Sequence, residues 1–248
     1  MQEFAGKRAV VTGGTRGIGA AVVRALVAGG AEVLATARSA EGVVPEGVGL
    51  VAADVRGRAG AEVVAAAVGE RFGGVDLVVH NVGGARPFED SAAIPDEEWQ
   101  DALDLNYLAS VRLDSLLVPG MRVRRSGAIV HVSSAAVLTP VGPFLHYVAA
   151  KAALETYSRG LALEVAADGV RVNVVTPGRV ATPGGEATRE LWAGLESAAG
   201  HDVSALPPLG RDGQPDDIAN AVLFLLSERA GWLTGSNLVV DGGEYPRR

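Results

Sequence analysis

Short β-branched runs alternate along the chain with longer stretches in which apolar residues recur every three or four positions. Residues 8–12 (RAVVT), 32–37 (EVLATA), 49–55 (GLVAADV), 75–80 (VDLVVH), 127–133 (GAIVHVS), 169–175 (GVRVNVV) and 236–241 (SNLVVD) predict strands. Residues 17–30, 57–73, 96–124, 144–166 and 215–227 predict helices. The first of these stops at a glycine pair, a common helix end. The stretches at 96 and 215 open on proline and acids (Pro95-Asp96-Glu97-Glu98, Pro215-Asp216-Asp217), which suit the positive end of a helix dipole. The strands are apolar on both faces, so a parallel sheet with helices on both sides is expected, an α/β fold. There is no internal repeat and no linker, and residues 1–248 are expected to form one domain. Only 181–209, rich in Pro and Gly and carrying Trp192 and His201, breaks the rhythm; a substrate lid is expected there.

Composition narrows the picture. Hydrophobic residues are 48% and charged residues 21% of 248, the balance of a soluble globular protein. No apolar run reaches the roughly 18 residues a membrane span needs. The N-terminus lacks a signal-peptide core, so a cytoplasmic location is expected. With no cysteine, disulfides, thiolate zinc sites and cysteine nucleophiles are excluded. A net charge of −7 without a long basic run argues against nucleic acid as a partner. The histidines (80, 131, 146, 201) show no ligand spacing, so no metal site is expected.

Candidate chemistry starts at the first turn. Gly13, Gly17 and Gly19, with Thr15, Arg16 and Ile18 between them, stand between a strand and a helix. Small residues there let the backbone approach a pyrophosphate, and the helix N-terminus favours its charge. The second strand then ends Ala37-Arg38-Ser39, with no carboxylate to accept from a free ribose 2′-OH. Arg38 and Arg16 instead suit a 2′-phosphate, which points to NADP(H) over NAD(H). Tyr147 and Lys151 are four apart in a helical stretch, hence on one face. A phenol titrates near about 10, and an adjacent ammonium lowers that value toward useful proton transfer. Tyr157 lies about 240° round the wheel from Lys151 and reads as a packing or interface residue.

Ordered motifs extend this. They are TGGTRGIG (12–19), ADV (53–55), HNVGG (80–84), Asn106 in LDLNYL, VSS (132–134), YVAAK (147–151), NVVTPGRVAT (173–182) and LTGSNLVVDGG (233–243). Together they resemble the short-chain dehydrogenase/reductase family, and the Ala-Arg strand end with Arg16 resembles its NADP(H)-preferring, 3-oxoacyl reductase-like members. The resemblance implies a single Rossmann-like, doubly wound domain with seven parallel strands, and NADPH-dependent reduction of a small-molecule ketone to a secondary alcohol, reversible as an alcohol dehydrogenase. It implies a catalytic set of Asn106, Ser134, Tyr147 and Lys151. Ser134 would hydrogen-bond the substrate oxygen, Lys151 the nicotinamide ribose, and the Asn106 amide would help hold a water leading to Lys151. Asp54 and Val55 would flank adenine. Asn81, Val82 and Gly83 would lie by the adenosine ribose, and Pro177, Gly178, Val180 and Thr182 over the nicotinamide. A homotetramer is also implied.

His80 departs from the family's usual asparagine and is read as structural. Gly84, Arg86, Ala135, Ala136, Val137, Phe144, Trp192 and Leu195 are candidates to line a mostly apolar pocket for an aliphatic or ring ketone. Arg86 could bind an anionic substituent or sit solvated at the surface. Three alternatives remain. An enoyl reductase resembles Tyr-x6-Lys, but Phe144 stands at that place. A nucleotide-sensing protein of the same fold would lack the Tyr or the Lys. An NAD-dependent alcohol dehydrogenase would prefer the cofactor without the phosphate.

Overall fold

The computed structural model of the protein describes residues 2–196 and 205–245. Its strands are β1 (Arg8–Thr12), β2 (Glu32–Ala37), β3 (Gly49–Ala52), β4 (Leu77–His80), β5 (Gly127–Val132), β6 (Val170–Pro177) and β7 (Asn237–Val240). They form one seven-stranded sheet in the order β3-β2-β1-β4-β5-β6-β7. Every pairing is parallel. Chain order reverses between β1 and β4, and in open parallel sheets ligands bind outside the strand ends at such a point.

Burial explains the pattern read in the sequence. Ala9, Val10 and Val11 are all fully buried because neighbouring β1 residues point to opposite, equally covered faces. Ala9 and Val11 join the layer that holds α1 (Gly17–Ala28) and α7 (Pro215–Leu226). Val10 joins the layer of α2 (Arg58–Phe72), α4 (Ala109–Arg124) and α5 (Leu145–Val165). A side chain such as Leu113, at 0% exposure in that layer, contributes roughly 1.5–3 kcal/mol by leaving water.

Two stretches differ from expectation. Residues 96–124 do not form one regular helix. α3 (Asp96–Leu103) passes into a wide π turn, Asp104–Leu108, before α4. Asn106 sits in that turn, and its amide donates to the Ala102 carbonyl (3.2 Å), which makes a side chain part of the local hydrogen bonding. The expected lid is also more regular than its composition suggests. Pro183–Ala193 is a helix, α6, begun by Thr182, whose hydroxyl accepts from the Gly185 N–H at 3.1 Å, with proline in its first turn. Residues 197–204 of that segment, His201 included, lie outside the described residues. Among the described residues no helix is long and apolar enough to cross a membrane.

Candidate active site

The glycine turn is built for close backbone approach. Gly13 has φ +66°, which side chains rarely adopt, and a Cβ at Gly19 would collide with the Gly13 carbonyl oxygen. From the neighbouring strand end, Asn81 braces the turn: its amide donates to the carbonyls of Thr12 (3.1 Å) and Gly13 (3.2 Å). The Thr12 hydroxyl accepts from the N–H groups of Asn81 (3.0 Å) and Val82 (3.2 Å). Thr182 lies beside Gly17, so the loop after β6 reaches the same turn. Ile18 packs on the core beneath, and Thr15 faces Gly42. Gly178 is held by an N–H bond to the Val240 carbonyl (3.0 Å), with Pro177 ending β6 and Val180 buried below.

At the end of β2, Arg38 and Ser39 are exposed, as is Arg16 across the turn. Among the described residues neither arginine is engaged by an acid; Arg38 acts on Asp54 only at a distance, helping to keep that carboxyl below its ordinary value. The chief cause of that lowering is Arg56, whose side chain and N–H both donate to Asp54. Asp54, expected to accept from adenine, is therefore already bound in part, while Val55 is buried beside it. A groove of about 720 Å3 opens beyond Asp54, but its charges pair among themselves, Arg56 with Asp54 and Asp101, and Arg112 with Asp104.

The expected catalytic set gathers at the C-terminal ends of β4 and β5. Ser134 follows β5; its hydroxyl accepts from the Ala136 N–H at 3.3 Å and donates toward the Tyr147 oxygen. Burial raises the Tyr147 phenol above its ordinary value, and the Ser134 bond draws it back down. Lys151 is buried, and its ammonium donates to the Val132 carbonyl at 2.8 Å. Burial brings that ammonium down to about 8, against the opposing pull of Glu155. The phenol is thus tuned by Ser134 in this structure, and the expected lowering by Lys151 is not among its causes.

A Cβ at Gly83 would stand 3.0 Å from both the Asn106 oxygen and the Lys151 ammonium. This closeness joins the π turn to α5. The Asn106 amide hydrogens go to the carbonyls of Gly84 and Ala102, and its oxygen accepts from the Gly84 N–H. The side chain clamps the loop leaving β4, so an oxygen lone pair, not the NH2 group, remains for the water that the resemblance implies.

Over this centre lies α6. The Thr188 hydroxyl is 3.1 Å from the Ala85 carbonyl, and Trp192 meets Phe144 edge-on at 5.3 Å. Arg86 pairs with Glu98 at the surface (3.1 Å), the solvated alternative of its two readings. Tyr245 was not expected here. Its oxygen takes a hydrogen bond from Thr139, and burial pushes its phenol up to about 12 with Tyr147 contributing.

His80 is structural, as read. Its Nε2 is 2.8 Å from one Asp114 oxygen, and His131 Nε2 is 3.1 Å from the other. The Tyr157 hydroxyl donates to Asp114 at 3.1 Å, and Ser158 meets His131 Nδ1 at 3.1 Å. The sheet register places His80 opposite His131, a gathering that sequence spacing did not reveal. Two histidines and an acid lie within 4.8 Å of one another, but the atoms a metal would need are engaged with each other.

A family model described as Enoyl-(Acyl carrier protein) reductase matches residues 13–244. The chain is 39% identical to the 3-oxoacyl-[acyl-carrier-protein] reductase FabG of Escherichia coli (strain K12), over 98% of each chain. The chain belongs to the short-chain dehydrogenase/reductase family. Within that family it is also 34% identical to an L-fucose dehydrogenase of Bos taurus, over 97% of this chain and 90% of that one. The L-sorbose reductase of Gluconobacter frateurii, solved with NADPH and L-sorbose, superposes over the whole of both chains with a TM-score of 0.88 at 34% identity. As a short-chain dehydrogenase/reductase the protein is an oxidoreductase. Although the matching model is described as an enoyl reductase, the tyrosine position of Tyr-x6-Lys holds Phe144, buried against Trp192.

Proposed function

We propose that the protein reduces a ketone to a secondary alcohol with NADPH. The observation that carries this is the meeting of Ser134, Tyr147 and Lys151 at the strand ends beside the glycine turn, with Arg16 in that turn and Arg38 after β2 paired with no acid among the described residues. The cradle fits the cofactor: Gly13 and Gly19 let the turn fold tightly on itself at the N-terminus of α1, where backbone N–H groups favour a diphosphate, and two guanidiniums suit a 2′-phosphate. The similarity to FabG and to a sorbose reductase solved with NADPH supports the same reading.

The nicotinamide, when bound, supplies the hydride. Ser134 and Tyr147 hold the substrate oxygen between their hydroxyls, and Tyr147 gives it a proton as negative charge develops there. Lys151, one turn along α5 from Tyr147, would hold the nicotinamide ribose through its ammonium. Asn106 fixes the Gly83-Gly84 loop beside Lys151, and α6 with Phe144 excludes water above.

A carbonyl panel followed by NADPH absorbance, with NADH as control, tests the reaction; no oxidation of NADPH with any ketone would overturn it. Arg38→Ala tests the cofactor. Loss of one charge-assisted contact should weaken NADPH about tenfold or more and leave NADH nearly unchanged. Equal losses for both would remove the 2′-phosphate from the proposal.

A further inference from the structure

We infer that Glu155 is a positioning residue for Lys151: it anchors α5 to the ends of β5 and β6 and supplies the negative charge that keeps the buried ammonium protonated. The inference rests on the proposed role of Lys151 at the cofactor ribose. Glu155 stands one helical turn after Lys151, hence on the same face of α5. The two residues bind successive positions of one strand exit. Lys151 donates to the Val132 carbonyl at 2.8 Å, and Glu155 accepts from the Ser133 hydroxyl at 2.6 Å. The second bond is short and charge-assisted, the stronger kind of hydrogen bond. The Thr176 hydroxyl of β6 lies 3.3 Å from the same Glu155 oxygen and 2.6 Å from Asn237 of β7. Ser133 is tied in turn to β6 through its N–H and the Val175 carbonyl (2.8 Å). Ser133 and Thr176 are both buried, so these hydroxyls have little access to water and their bonds fix the height of α5.

The charge has its own consequence. A buried ammonium without a counter-charge releases its proton. Lys151 makes no ion pair among the described residues, and Glu155 is the group that opposes its loss of the proton. The other titratable neighbours do not do this. Tyr147, on α5, is neutral with its phenol raised. His131, from β5, has its ring held in the neutral form by burial and is itself disfavoured from charging by Lys151. From the π turn the neighbour is Asn106, which carries no charge.

The test is NADPH binding by the full chain across the neutral and alkaline range. Glu155→Gln keeps an acceptor oxygen and removes the charge. Its alkaline loss of NADPH affinity should begin about one pH unit below that of the wild type, roughly a tenfold weaker complex in the window between. The double variant Ser133→Ala, Thr176→Val keeps the charge and removes the anchors; its alkaline limb should stay with the wild type while kcat falls. A Glu155→Gln limb that superposes on the wild type overturns the inference. Should Glu155→Gln fail to fold, Glu155→Asp draws the charge back by one methylene, and its limb must still move down; an unmoved limb overturns the inference equally. Failure of the proposed function shows elsewhere, in a wild type that binds NADPH but turns over no ketone, which leaves the binding titration standing.

Discussion

Tyr147 and Tyr157 ride the same helix, and burial raises both phenols, but their surroundings differ in kind. Tyr157 belongs to a closed network. Asp114 receives His80, His131 and Tyr157, His131 turns its other nitrogen to Ser158, and the two imidazoles stack at 4.8 Å. Tyr147 belongs to an open one, in which its only described side-chain hydrogen-bond partner is Ser134 and Lys151 is tied to a backbone carbonyl beside it. Burial and a perturbed phenol are therefore common to both regions. What separates them is unused hydrogen-bonding capacity at a strand end where a ligand fits. A saturated network holds the sheet together; an unsaturated one is able to take substrate.

Tyr147 is where the open network is most sensitive. Tyr147→Phe should lower kcat about a thousandfold while the melting temperature and NADPH binding hold; near-normal turnover would move the acid elsewhere. Asp114→Ala should do the reverse. It leaves two buried imidazoles and a phenol without their shared acceptor, and unfolding in denaturant should show a loss of about 3–5 kcal/mol, with the folded fraction still active.

Acid and alkali should attack the two regions separately. The fold holds His131 neutral, below its ordinary 6.5, so its contribution is complete above that value and lost as pH falls beneath it. Asp114 is held below its ordinary 3.8 by its histidines against the penalty of burial, so a further loss follows in stronger acid. Melting temperature should thus decline on the acid side. Burial brings the Lys151 ammonium down to about 8, so NADPH affinity should decline on the alkaline side while the fold persists, since shedding a buried charge does not weaken it. The finest distinction is Tyr157→Phe. Removing one hydroxyl bond should cost about 1 kcal/mol of stability and leave kcat unchanged. A large loss of turnover there would erase the contrast between the tyrosines.

Much of the site was legible in residue order. The glycine turn, the Ala37-Arg38 strand end and the Tyr147/Lys151 spacing involve neighbours in sequence, and local geometry carries their meaning. The closed network was not legible, because its members come from β4, α4, β5 and α5. His80 stood out as a departure, but only the β4–β5 register shows that His131 lies opposite it and that Asp114 answers both. Glu155 gave no signal beyond helical spacing, since its partners Ser133 and Thr176 lie on separate strands. Thr139 and Tyr245 meet only because the C-terminal segment returns to the strand ends. The π turn at Asn106 escaped periodicity because a side-chain amide takes part in its hydrogen bonding.

Consecutive residues carry the alternation of strand and helix, the glycine turn, the two arginines beside it and the tyrosine that stands one turn before a lysine. These are short-range matters of period, turn chemistry and charge, written in consecutive residues. The tertiary structure alone decided which polar groups are saturated and which are left open, because hydrogen-bond partners across a parallel sheet are set by register and burial. That decision is what turns one tyrosine of α5 into a structural hydroxyl and leaves the other facing the space where a ketone would bind.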